Sequence, residues 1–187
     1  MGRRGWFCGC DGNAILNQKH ERHVGLNRLA ARTGRGILAL EPIAGGRFIV
    51  PDDRMMDWVA DRIAWISKGY RWPAASAIGL VADGEIIAGM VVHDYVPETG
   101  NCQLSFAASR ATWATKGSIA AMLAYPFGQL GCRRVTTFIA RSNARAIRFN
   151  LGLGFKQEGC VRFGFGGEDA LLFGLLREET PTWMGLQ

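Results

Sequence analysis

Between Asn143 and Gly159 the chain changes its hydrophobic period within one short stretch, and that change narrows the folds open to it. Ala144, Ile147 and Leu151 stand at i, i+3 and i+7, one face of a helix. Ser142 or Asn143 suits the N-cap, where a short polar side chain accepts from an early helical amide. Gly152 or Gly154 can adopt the left-handed conformation that ends a helix, and a strand then opens on Phe155.

The same switching between periods runs upstream. Phe48, Ile49 and Val50 read as a strand with Pro51 in the turn after it, and residues 52–67 read as a helix with Met55, Val59, Ile63 and Ile66 as its stripe. Asp52, Asp53 and Asp57 lie toward its start, where negative charge is favoured, and Gly69 ends it. Strands follow over 76–82, 85–95 and 101–108. Asp83-Gly84 is the first hairpin turn, because both positions tolerate positive φ. Residues 112–130 read as loop and helix carrying Ile119, Met122, Leu123, Phe127 and Leu130, with Pro126 expected to kink or shorten it. A strand over 134–140, the Asn143 helix, and strands over 156–164 and 170–176 complete the chain. This order predicts a single α/β domain whose mixed, mostly antiparallel sheet is flanked by helices. It is expected to span 47–187. Residues 1–46, rich in Gly, Arg and Asn and closed by Gly45-Gly46, are expected to be a basic, poorly packed extension.

The pattern N-x-x-A-x-x-x-x-x-x-L-G-F-x-x-E-G, from Asn143 to Gly159, resembles the signature of the GNAT superfamily of acyl-CoA-dependent N-acyltransferases. It looks nearest to the branch that acetylates protein N-termini and its bacterial and phage relatives. The order of elements is also the one GNAT enzymes show, over about Arg47 to Glu179. The resemblance implies an acetyl-CoA-dependent N-acetyltransferase acting directly on a primary amine, a protein N-terminus or a small molecule, with acetyl-CoA as co-substrate and no metal.

It also implies where the co-substrate lies. The strand Gln103-Leu104-Ser105-Phe106-Ala107 would splay from its neighbour and offer backbone amides, so that Ser105, Phe106 and Ala107 become cofactor-binding candidates. The next helix would start around Thr115-Lys116-Gly117-Ser118 and receive the pyrophosphate, since helix-start amides and the dipole attract anions. There Lys116 would add a charge, Gly117 a close approach and Ser118 a hydroxyl. The family's R/Q-x-x-G-x-G/A loop is not matched, because Gly117 is the only glycine in the window. Asn143 would lie beside the pantetheine arm, a role compatible with N-capping. Arg148 and Phe149 would reach the adenine end, unless Arg148 is simply a solvated helix residue. The Phe106 or Ala107 amide would polarise the thioester carbonyl. Asp94, His93 or Glu98 would act as base through water. The tyrosine that some relatives use as general acid has no counterpart, and Ser142 stands as a weak substitute beside water.

Other signals are weaker. The charge of +6 is concentrated in residues 1–50, with eight Lys/Arg against three Asp/Glu. A second excess lies between Gly131 and Arg162, where seven basic residues face only Glu158. Such patches draw a polyphosphate cofactor or nucleic acid. The competing expectation is therefore a nucleic-acid-binding or DNA-modifying protein on the same scaffold. Cys8-x-Cys10 with His20-x-x-His23 has poor zinc spacing. Cys102, Cys132 and Cys160 sit in or beside apolar strands without a nearby histidine, which suits structural cysteines. Five scattered cysteines, no secretory h-region after Arg3-Arg4 and no run of about 18 apolar residues predict a cytoplasmic protein away from membranes. The resemblance to a family whose members often dimerise implies a monomer or a homodimer.

Overall fold

A computed structural model describes residues 41–43, 47–51 and 54–187. Within them eight strands form one sheet in the order β1-β2-β3-β4-β5-β6-β8-β7. The strands are β1 (Glu41–Ile43), β2 (Arg47–Pro51), β3 (Ser76–Ala82), β4 (Glu85–Val96), β5 (Asn101–Ala108), β6 (Arg134–Ala140), β7 (Lys156–Val161) and β8 (Ala170–Leu176). Every neighbouring pair is antiparallel except β5 and β6, which run parallel. The mixed α/β sheet is as expected. It begins at Glu41, ahead of the expected start at Arg47. The zinc-like Cys8 to His23 segment and the rest of 1–40 lie outside the described residues.

Helices α1 (Arg54–Ala60), α2 (Lys116–Ala124) and α3 (Ala144–Gly152) cover the sheet. Alternate residues of a strand face opposite sides, so one sheet serves two cores. Val91 and Ala107 meet Met55, Met56, Val59 and Ile63 of the α1 side. Met90, Val92, Leu104 and Phe106 meet Ile119, Met122 and Ala146 on the other side.

Asp83 and Gly84 both take positive φ (51° and 75°), the two-residue turn their chemistry predicts. Helix α1 stops at Ala60, short of the expected 52–67. The chain then tightens into i→i+3 turns, Ile63 N–H to Ala60 O and Ile66 N–H to Ile63 O, which keep Ile63 buried. Trp65, beyond the end of the helix, stacks on Phe165 at 3.9 Å. Pro126 does end α2, through a wide turn over Tyr125–Gln129 closed by Leu130 N–H to Tyr125 O. The α3 stripe differs from expectation. Ala146 and Asn150 are buried, whereas Ala144 and Leu151 are exposed.

Gly89 lets α1 lie directly on β4: a Cβ there would stand 2.7 Å from Val59 Cγ2 and 3.3 Å from the Trp58 ring. Val59 is β-branched and fully buried, so the helix cannot yield by a rotamer change alone. Gly89→Ala should cost about 1–3 kcal/mol, read as a lower urea midpoint at unchanged m. An unchanged midpoint would mean that α1 moves away without cost.

Candidate functional site

The parallel ladder between β5 and β6 is short: Asn101 pairs with Arg134, Cys102 with Val135, Gln103 with Thr136, and there it stops. Both strands continue, to Ala108 and Ala140. A gap therefore opens at Leu104 and Thr137, where the Thr137 hydroxyl donates to Leu104 O at 3.1 Å. Ser109 N–H bonds Ile87 O on β4, and Ser105 and Ala107 occupy equivalent positions opposite Val91 and Gly89. Hydrogen-bonding direction alternates along a strand. Ser105 and Ala107 thus turn their backbone groups toward β4, and Leu104, Phe106 and Ala108 turn theirs toward the gap. Of the amides expected to serve a thioester, Phe106 points the right way and Ala107 does not.

The gap leads to the start of α2. Thr115 caps it: its Oγ1 accepts from Ser118 N–H at 3.2 Å and lies 2.9 Å from Ser118 Oγ. Ser118 is fully buried, so it is part of the cap and not a donor to an outside anion. The helix starts at Lys116, within the expected Thr115–Ser118 stretch. Lys116 and Gly117 are exposed at its positive end, and Lys116 Nζ lies 5.7 Å from the Trp183 ring centroid.

Helix α3 starts beyond the other side of the gap. Asn143 Oδ1 accepts from Ala146 N–H at 3.1 Å, the capping bond expected of it. Its Nδ2 is buried with no hydrogen-bond partner, the one such side-chain atom among the described residues. Successive helical residues diverge by about 100°. Arg148 is accordingly exposed, whereas Phe149 turns inward, 5.4 Å from Trp113, which packs on Phe106 at 4.4 Å. Phe149 therefore lines the interior between α2 and α3 and does not sit beside Arg148 at an adenine site. That interior holds a cavity of about 40 Å³.

On the α1 side of β5, His93 Nε2 lies 3.0 Å from Ser105 Oγ, and its Nδ1 lies 2.9 Å from Asp94 Oδ2. Adjacent residues of a regular strand point to opposite faces and cannot bond in this way. A bulge makes it happen: the β4–β5 register slips between His93 and Val96, and Asp94 takes φ 48°. His93 and Ser105 are buried, while Asp94 reaches solvent. Burial holds the His93 pKa below its ordinary value, partly offset by Asp94. Of the three expected bases, Asp94 and His93 thus form one unit with Ser105, and Glu98 sits exposed in the following turn.

Ser142 is not near that unit. Asp94 sits in the β4 bulge beside the end where β5 and β6 are paired, whereas Ser142 follows the opposite end of β6, past Ala140. Its backbone N–H is held by Glu168 Oε1. Asp94 and Ser142 cannot act on the same atoms.

Three of the seven residues of the basic patch stand in ion pairs, Arg134 with Glu158, Arg141 with Asp169 and Lys156 with Glu179. Arg145, Arg148 and Arg162 stay exposed. Cys102 and Cys132 are buried, and burial pushes both thiols up, away from nucleophilic use. Among the described residues no group of His, Cys, Asp and Glu could hold a metal ion, and no helix is long and apolar enough to cross a membrane.

Neither the family models nor the curated proteins give a match. Solved structures do. A protein of T. thermophilus, assigned but not established as an acetyltransferase, superposes with TM-score 0.52 at 21% identity over 60% of this chain and 64% of its own. A chimera of spermidine N-acetyltransferase SpeG from Vibrio cholerae and hSSAT gives 0.59 at 12% identity, over 70% and 96%. RimJ of Mycobacterium smegmatis in complex with CoA-disulfide gives 0.50 at 16%, over 57% and 55%. The chain spans 62–64% of the length of the first structures it matches. The fold is that of the GNAT-type acetyltransferases.

Proposed function

We propose that the protein is an acetyl-CoA-dependent N-acetyltransferase that acylates a primary amine, a protein N-terminus or a small molecule, directly. One observation carries the reading: β5 and β6 part after Gln103 and Thr136 and leave a slot lined by backbone amides. The orphaned Asn143 Nδ2 supports the fit, because a buried donor is costly until an acceptor reaches it, and the pantetheine arm carries amide carbonyls. The RimJ neighbour holds CoA-disulfide, which agrees.

Each residue then has a task. The Lys116 and Gly117 amides, with the dipole behind them, hold the pyrophosphate. Asn143 Nδ2 fixes the pantetheine arm, and Arg148 meets the adenine end. The Phe106 amide polarises the thioester carbonyl. Acetyl-CoA supplies an acyl group already activated by its thiolate leaving group. Neutral His93 takes the proton of the incoming amine through the Ser105 hydroxyl or a water, and Asp94 orients the ring and stabilises its charged form. The amine approaches from the α1 side, where the Trp65–Phe165 stack ties the 61–75 loop to the β7–β8 turn. The reading is favoured over the nucleic-acid alternative because the solved structures the chain resembles are acetyltransferases.

A ligand that binds only the folded state at one hundred times its Kd stabilises by about 2.7 kcal/mol, which raises Tm by roughly 5–10 °C in a chain of this size. Acetyl-CoA at millimolar concentration should produce that shift. A flat melting curve would sink the proposal.

A further inference from the structure

We infer that the acyl group need not be acetyl: the cavity over the closed end of the β5–β6 gap fits a donor whose acyl chain carries one or two further methylenes. The inference rests on the acyl-CoA reading above. The cavity's walls include Leu104, Phe106, Met122, Thr137, Phe149 and Asn150. Leu104 and Thr137 are the first residues beyond the paired stretch of β5 and β6, so the cavity adjoins the point where the strands part.

Its polar walls are already engaged. The Thr137 hydroxyl donates to Leu104 O, and Asn150 Nδ2 donates to Ala146 O at 2.9 Å. The remaining lining is apolar, so the space offers a water few partners. About 40 Å³ of space compares with the roughly 10–15 Å³ that admits one water. Two or three groups of methylene size therefore fit, beyond what an acetyl methyl requires. Protein interiors seldom leave such space unfilled, because empty apolar volume costs stability. A guest chain removes that cost. Met122, unbranched and flexible, can adjust around it.

Calorimetry on the full chain with CoA, acetyl-CoA, propionyl-CoA, butyryl-CoA and octanoyl-CoA tests the idea. Each buried methylene should tighten Kd about fourfold from acetyl to butyryl, and octanoyl should bind more weakly than butyryl because it outgrows the space. Met122→Phe, which fills the cavity, should bring the butyryl-to-acetyl affinity ratio down to one or below. The wild-type series decides alone if that variant does not fold. Affinity that stays level or falls from acetyl to butyryl, with CoA still bound, overturns this inference and leaves the proposed function standing. Failure of CoA and every acyl-CoA to bind overturns both.

Discussion

His93→Gln is expected to lower kcat/KM for acetyl transfer by about 10²–10⁴-fold while acetyl-CoA still binds. Only Nε2 of neutral imidazole can receive the proton, and glutamine has no basic nitrogen to replace it. The wild-type pH profile supplies the readout that a packing role would not move. Burial, the larger influence, holds the His93 pKa below its ordinary 6.5, so the acid limb of kcat/KM should fall below pH 6.5. Asp94→Asn removes the carboxylate that favours the imidazolium and should shift that limb lower still. Stability should follow a related course. Above pH 6.5 the ring is neutral in both the folded and unfolded chain, and His93 contributes no pH dependence. Below it the unfolded chain takes up a proton that the folded chain resists, so stability falls with acid. If His93→Gln lowers Tm but leaves residual activity with the wild-type acid limb, His93 is a structural residue and the base lies elsewhere.

The strands of the central sheet were legible because their signals are local. β-branched runs bounded by Asp83-Gly84 and Pro97–Gly100 need only turn chemistry and period two, and β3, β5, β6 and β8 fall where these place them. The site was less legible, because its decisive features are not local. A paired strand and a splayed one carry the same apolar pattern, so the break after Gln103 and Thr136 has no signature in sequence. The Asp94–His93 bond exists only through a bulge that puts a non-glycine residue at φ 48°. Asn150 is buried because its amide donates to Ala146 O one turn back, a placement that the apolar spacing of Ala144, Ile147 and Leu151 does not show. Ser118 reads as a phosphate donor until its cap to Thr115 is seen. Within the excess of basic residues from Gly131 to Arg162, Arg141 and Lys156 meet their partners Asp169 and Glu179 only from beyond that stretch of sequence.

Asn143 allows cofactor binding and folding to be separated in a single side chain. Its Oδ1 serves α3 and its Nδ2 serves nothing in the protein. Asn143→Ser keeps a capping oxygen of nearly equal quality and deletes the orphaned donor, so the ligand-free protein should hold its stability within about 0.5 kcal/mol. Asn143→Ala deletes both and should lose about 1 kcal/mol through the cap. Acetyl-CoA affinity should fall in both, by roughly tenfold or more, the effect of losing a buried hydrogen bond of 1–3 kcal/mol. The serine variant is therefore as stable as the parent but poor at binding, a combination that capping alone cannot produce. Calorimetry with acetyl-CoA beside a urea titration reads both quantities. Wild-type affinity in Asn143→Ser would mean that Nδ2 finds its acceptor outside the cofactor, and the orphaned-donor support for a pantetheine slot between β5 and β6 would be gone.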